Sequence, residues 1–343
     1  MNSLYLLVYM VGSVISYGTM DKNNEDYDVG TREKNFEELY KEGRQHYLDN
    51  NFQDCVKYIE AALSDYKDYT SLVNHCKSDC KKQKNTEYVV KTIKEYLHYE
   101  GLIRETLCLM KCKRGKLHPN RKEEIEDPDL VQDFQSRKTY DFLQLCYYQT
   151  KNNQSAANAA YTNLMFNQDH EIMRENLNYY LALPGVNSSN LVNLEEQEFV
   201  APYLAGRTYY TEKNWSKLVE SMELAVKLYL QEEEMCRMGC EKPFNMGWFP
   251  DFVSSVSNHF TFCTKCKLNC ATQLHRINGG MEEDLLPLFY HYLQFAYFKV
   301  EDYSSAADCA VTYLELRPDN VDMQNNINYY RFFFALLSND KQW

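Results

Sequence analysis

Apolar residues recur at intervals of three and four through nearly every long segment of the chain. That is the period of helices that bury one face. No alternation of Val or Ile persists long enough to predict a sheet. Gly and Pro, the usual breakers of regular structure, number only 12 and 8 in 343 residues. The pattern predicts an all-α protein and also shows where helices should stop. Residues 184–195, which open on Pro184 and Gly185, lose apolar content and gain turn formers. A second irregular piece, Lys242 to Asp251, holds Pro243, Gly247, Trp248 and Pro250. The charged run 113–128 is expected to form a surface loop.

The helical pattern occurs twice. A shift of 163 positions places Tyr40, Gly43, Arg44, Tyr47, Asn51, Val56, Glu60, Ala62 and Tyr66 on identical residues between Tyr203 and Tyr229. A shift of 150 does the same for Leu143, Gln144, Tyr147, Ala156, Ala157, Ala160 and Leu164, on residues between Leu293 and Leu314. Chance does not produce so many identities in order, so the chain is an internal duplication. The change of offset means shorter connections in the second copy. The expected copies are 34–183 and 196–338, joined by a linker at 184–195. Within each copy the units resemble tetratricopeptide repeats. Gly43, Tyr47, Phe52, Cys55, Ile59 and Ala62 take the small and aromatic positions in the first unit. Tyr297, Tyr303, Ala306, Ala310 and Pro318 take them in the last. Each helical hairpin leaves an apolar face that only a neighbour can cover, so the hairpins should stack into an α-solenoid.

The formal charge of −12 argues against a general phosphate-backbone binder. It leaves room for a local basic patch around Lys111 to Arg114. Leu4 to Ile15 followed by Ser16-Tyr17-Gly18 reads as a signal peptide over residues 1–18. The run is too short to span a bilayer comfortably, and no later stretch is long and apolar enough. Residues 19–33 are polar and acidic, and are expected to be disordered. A secretory route permits disulfides. It also gives meaning to three glycosylation sequons, at Asn153, Asn187 and Asn214. Asn187 lies in the most loop-like segment; the other two fall at turns between helices.

Twelve cysteines carry the most specific signal. Cys76/Cys80, Cys108/Cys112, Cys236/Cys240 and Cys266/Cys270 share the spacing Cys-x-x-x-Cys, which puts both thiols on one helical face. Two facing antiparallel helices per copy would pair outer with inner thiols: Cys76 with Cys112, Cys80 with Cys108, Cys236 with Cys270 and Cys240 with Cys266. A four-thiolate zinc site in each copy is a second reading, although zinc more often uses Cys-x-x-Cys knuckles. A redox-active pair is a third. Cys263-x-x-Cys266 has knuckle spacing but no counterpart in the first copy. Cys55, Cys146, Cys263 and Cys309 are expected to be buried free thiols.

The 29 tyrosines are explained mostly by packing. Some should line a concave face suited to an extended Pro-rich chain. The motif Met-x-x-Asn-x-x-Tyr-Tyr occurs at Met173 to Tyr180 and again at Met323 to Tyr330. Its plainest role is structural, with Asn176 and Asn326 bridging to neighbouring helices. No nucleotide-binding, zinc-protease or serine-hydrolase motif is present. His98-Tyr99-Glu100 has a His-x-Asp/Glu form but sits in a helical stretch, where a facial iron triad would need a β-barrel. No catalytic, cofactor-binding or metal-ligating residue is therefore expected, and no cofactor.

The duplicated cysteine pairs, the tetratricopeptide-like helices, the paired Met-x-x-Asn-x-x-Tyr-Tyr segments and the signal peptide together resemble the leprecan family. The resemblance covers about residues 34–337. Larger members of that family are collagen prolyl 3-hydroxylases, with the helical region followed by an iron- and 2-oxoglutarate-dependent domain. This chain is similar to the non-catalytic members. The resemblance implies a helper subunit in the endoplasmic reticulum lumen. Its implied partners are a prolyl 3-hydroxylase, a cyclophilin B-type prolyl isomerase and unfolded procollagen, with no nucleic acid and no membrane span. Because no KDEL-type signal is visible, secretion to the extracellular matrix without a hydroxylase role is an alternative. A truncated form of a catalytic member is another.

Overall fold

The computed structural model describes residues 32–83, 94–122, 127–241 and 252–339. The expected signal peptide, most of the acidic segment 19–33 and the piece from 242 to 251 lie outside them. The first copy comprises α1 (Phe36–Leu48), α2 (Phe52–Gln83), α3 (Lys94–Lys116), α4 (Pro128–Gln135), α5 (Thr139–Gln149), α6 (Asn153–Phe166) and α7 (Glu171–Leu181). A 3-10 turn at Ser188–Asn190 lies in the connection. The second copy comprises α8 (Val200–Thr211), α9 (Trp215–Gly239), α10 (Phe252–Leu274), α11 (Leu285–Lys299), α12 (Tyr303–Leu316) and α13 (Val321–Asn339). Among the described residues the only strands are β1 (Arg276–Ile277) and β2 (Gly280–Met281), two antiparallel residue pairs.

Hairpins α1/α2, α5/α6, α8/α9 and α11/α12 are the repeat units, and α2 packs on α5 as α9 packs on α11. Three of these hairpin turns, α5/α6, α8/α9 and α11/α12, are built the same way. One residue takes a left-handed conformation and the next caps the following helix. Lys151, Lys213 and Glu301 have φ of 62°, 59° and 65°. Asn152, Asn214 and Asp302 then accept from the backbone N–H of Ser155, Lys217 and Ser305. Asx residues suit that cap because the side-chain oxygen satisfies an N–H with no partner inside the helix. Close approach of the paired helices rests on two matched glycines. A Cβ on Gly43 would lie 2.6 Å from Ile59, and one on Gly206 would lie 2.6 Å from Met222.

The duplicated polar residues are locks between these helices. Tyr147 donates to Glu60, and its counterpart Tyr297 donates to Glu223. Tyr180 is hydrogen-bonded to the buried Gln144, and Tyr330 to the buried Gln294. Asn326 adds a bond from its Nδ2 to Gln294 Oε1 at 3.3 Å. The Met-x-x-Asn-x-x-Tyr-Tyr motif thus seats α7 on the α5/α6 hairpin and α13 on α11/α12. Met173 and Met323 supply its buried apolar end.

The first cysteine helix is continuous with the second helix of the first hairpin. Cys76 and Cys80 ride on the C-terminal extension of α2, a single helix of 32 residues. No breaker interrupts the helical period there, so the chain has no reason to turn. The charged run 113–128 is not simply a surface loop. It begins inside α3, and Arg121 folds back into the interior. Its guanidinium donates to both carboxylate oxygens of Asp65 at 2.8 and 2.7 Å, with side-chain exposures of 1% and 0%. Tyr69 covers the pair, its ring 5.5 Å from the guanidinium. A carboxylate buried in α2 needs such a partner, because desolvating it alone is costly.

Removing Arg121 leaves the buried Asp65 carboxylate with only the longer contact to Arg32, at 3.9 Å. Arg121→Met should lower unfolding free energy by about 3–5 kcal/mol. The double variant Arg121→Met/Asp65→Leu should recover most of the loss, because apolar groups replace a buried pair at little net cost. Urea unfolding of the three chains measures both effects. Equal stability of the single variant and the wild type would refute a stabilising pair.

Candidate functional site

The two long helices α2 and α9 organise the functional surfaces. Beyond its hairpin, each projects past the stack and receives one further helix, α3 on α2 and α10 on α9. Cys76 is bonded to Cys112, Cys80 to Cys108, Cys236 to Cys270 and Cys240 to Cys266, with Cα separations of 5.9, 5.8, 5.8 and 5.6 Å. These lie in the ordinary disulfide range. With the sulfurs joined in pairs, neither set offers thiolates to zinc. Among the described residues no group of three His, Cys, Asp or Glu could hold a metal ion. His98 and Glu100 lie in α3.

Cys55 and Cys146, expected to be free thiols, are bonded to each other with a Cα separation of 6.2 Å. The bridge ties α2 to α5, which neighbour only because hairpins stack. Nothing in their spacing of 91 residues signals it. The second copy offers no hint either, since the matched positions are the buried Leu218 and Ala296. Cys263 and Cys309 keep their thiols. Burial pushes the Cys309 thiol up to about 12, which leaves it a poor nucleophile.

The copies meet where α2 crosses the end of α9. Two carbonyls near the end of α9 accept side-chain donors from α2 in addition to backbone partners of their own. Asn74 Nδ2 donates to Met235 O at 3.1 Å, and Lys77 Nζ to Met238 O at 2.8 Å. A cation at that end also complements the helix dipole. One residue past the α9 cap, Glu241 bridges Lys81 of the first copy and Lys267 of the second, each at 2.5 Å. Burial pushes the Glu241 carboxyl up, but the two lysine hydrogen bonds outweigh it and hold it below the usual value. A second clasp lies at α6. The Phe166 ring has Arg137 at 5.5 Å and Arg276, from the second copy, at 4.8 Å. Arg276 also donates to Phe166 O at 2.5 Å. A polar cleft of about 500 Å³ beside this clasp is lined by residues of both copies, among them Tyr66, Gln197 and Gln273.

Half-buried aromatics form a surface across α8, the start of α9 and α11. Tyr210 lies 5.2 Å from Tyr292 and 5.6 Å from Phe295, and Trp215 lies 5.5 Å from Phe295. Lys299 Nζ stands 5.1 Å from the Phe295 ring and 5.4 Å from Phe298. The first copy keeps a smaller version, with Tyr47 5.2 Å from Phe142 and Arg44 5.5 Å from that ring. A further aromatic group repeats in both copies, Tyr148 with the exposed Tyr179 and Phe298 with the exposed Tyr329. π-Faces beside cations suit extended, Pro-rich chains that lack a core of their own. Of the sequon residues, Asn187 is exposed beside the 3-10 turn, Asn214 is the cap of α9, and Asn153 opens α6.

A family model described as the leprecan family TPR-like repeat region matches residues 35–334. The chain belongs to the leprecan family. It is 30% identical over 299 residues to human Cartilage-associated protein, covering 86% of this chain and 74% of that protein. It is 28% identical over 312 residues to human Prolyl 3-hydroxylase 1, covering 85% of this chain and 42% of the hydroxylase. Human Endoplasmic reticulum protein SC65 is 29% identical over 304 residues, 86% of this chain and 69% of its own length. The leprecan relatives thus include hydroxylases as well as Cartilage-associated protein. No described helix is long and apolar enough to cross a membrane.

Glu241 makes the junction pH-sensitive in a defined direction. Its folded carboxyl lies below the ordinary value of 4.5, so its stabilisation is present above that value and fades as pH falls through the folded one. The wild-type melting temperature should therefore exceed that of Glu241→Gln at neutral pH, and the gap should close under acid. Thermal melts across that range check the sign; a gap that widened on acidification would refute it.

Proposed function

We propose that this leprecan chain is a non-catalytic scaffold in the endoplasmic reticulum lumen. In that role it holds unfolded procollagen for a prolyl 3-hydroxylase, with a cyclophilin B-type prolyl isomerase as a further partner. The observation that carries this reading is the ladder of half-buried aromatics on α8, the start of α9 and α11, with Lys299 at its edge. An unfolded collagen chain is extended, with few donors and many apolar rings, and it is held best by π-faces spaced along a rigid surface. Two relatives named above support the setting, one a prolyl 3-hydroxylase and one an endoplasmic reticulum protein. Five disulfides in the structure fit an oxidising compartment. A glycan on the exposed Asn187 belongs to the same proposal, with Asn153 and Asn214 as lesser sites.

The disulfide-bonded chain should bind an unfolded Pro-rich collagen chain in a titration. Trp215→Ala and Phe295→Ala should each weaken binding by about 1–2 kcal/mol, roughly five- to thirtyfold. Helix content should persist in both. Supplied with iron and 2-oxoglutarate, the chain alone should not hydroxylate the peptide, whereas it should stimulate a separate prolyl 3-hydroxylase. Turnover by the isolated chain, or binding indifferent to both substitutions, would refute the proposal.

A further inference from the structure

The helix α3 is held in place by covalent bonds more than by a core. It packs on the extension of α2, fastened there by Cys76–Cys112 and Cys80–Cys108. Its outward side carries Ile103, Leu107 and Met110, exposed by 60%, 60% and 47%. Their steps of four and three residues form one stripe, with the spacing of a coiled-coil seam. Arg114 continues the stripe by another four. A rigid, exposed apolar stripe on a helix marks an interaction surface.

The charges along α3 indicate what covers it. Glu100 and Arg114 lie seven residues on either side of Leu107. The C-terminal half also carries Lys111 and Lys116, and the N-terminal half Glu105. A second α3 laid antiparallel, with the two-fold axis near Leu107, meets the first with complementary charge at both ends. Glu100 of each copy then faces Arg114 of the other, across about 21 Å of helix, with the apolar stripes between. The Arg104 guanidinium that Glu100 now holds at 2.6 Å is on an exposed pair, and such pairs exchange at little cost. A membrane surface fits less well, because a helix lying on anionic lipid carries cations along its whole length, and Glu100 and Glu105 break that pattern here. We propose that α3 is a self-association surface, through which two copies of this chain pair antiparallel about Leu107. A seam this short gives a weak, reversible dimer. This inference does not rest on the proposed collagen role.

Sedimentation velocity of the intact, disulfide-bonded chain over a concentration series tests it. The wild type should shift from monomer to dimer as concentration rises, and less so at high salt. Leu107→Glu should abolish the shift. Glu100→Arg and Arg114→Glu should each raise the dimer Kd by about tenfold, while the two together restore it, a rescue only the two-fold pairing produces. All three positions are on the surface, so far-ultraviolet circular dichroism melts should stay unchanged. A chain monomeric at every concentration, a dimer indifferent to Leu107→Glu, or charge reversals that do not rescue one another would overturn the proposal. So would a monomer that binds phosphatidylserine vesicles through Leu107.

Discussion

The length of α2 is the constraint on which the rest of the molecule depends. A repeat hairpin needs only its first half, up to about Tyr66. Asp65, at that boundary, holds the buried Arg121, and the remainder carries Tyr69 over that pair, both cysteines that fasten α3, and the donors Asn74 and Lys77 at the end of α9. One unbroken helix therefore sets the position of α3, of the returning loop and of the second copy. An α-helix transmits position faithfully over that span because each residue is fixed by its neighbours' hydrogen bonds. The same length prevents the extension from being covered by the stack, and this is where the disulfides enter. Hairpins in the body of the solenoid are held by burial against neighbours on both sides. The projecting pairs α2/α3 and α9/α10 have one neighbour each. Cross-links with sequence separations of 26 to 36 residues restrict the unfolded chain, worth about 3–4 kcal/mol per bridge by loop-entropy reasoning. That replaces the missing burial.

What was legible in the sequence follows from periodicity. The all-α class, the duplication, the hairpin glycines and the structural role of Met-x-x-Asn-x-x-Tyr-Tyr all depend on local spacing, which a linear pattern records. Outer-to-inner cysteine pairing was readable because i,i+4 thiols fix a face. Contacts between elements distant in sequence were not readable. Asp65 reads as an ordinary polar position until Arg121 is seen returning from beyond α3. Glu241 is one acid among many until Lys81 and Lys267 converge on it. The Arg137–Phe166–Arg276 clasp joins residues of both copies, and no repeat pattern encodes it. Cys55 and Cys146 fall at positions that the duplication itself fills with Leu218 and Ala296, so comparison of the copies pointed away from a bridge.

Those mismatched positions show how the copies diverged. Where the first copy has Cys55 bonded to Cys146, the second has Leu218 and Ala296 in one apolar cluster. At the position matching Asp65, which the first copy pairs with Arg121, the second has Leu228 packed against its core. The first copy thus uses a covalent bond and a buried ion pair at sites where the second relies on simple burial. Both solutions fill the same space, but they differ in specificity. Apolar contacts tolerate small shifts, whereas a bidentate ion pair and a disulfide each permit one arrangement. The second copy has the larger aromatic face, with Tyr210, Trp215, Tyr292 and Phe295 where the first has Tyr47, Phe52, Phe142 and Leu145. The extra cross-link and the buried ion pair are in the first copy, and the larger aromatic surface is in the second. A binding face gains affinity when its shape is set before the ligand arrives. The clasps at Glu241 and Phe166 connect the more cross-linked copy to the one with the larger aromatic face.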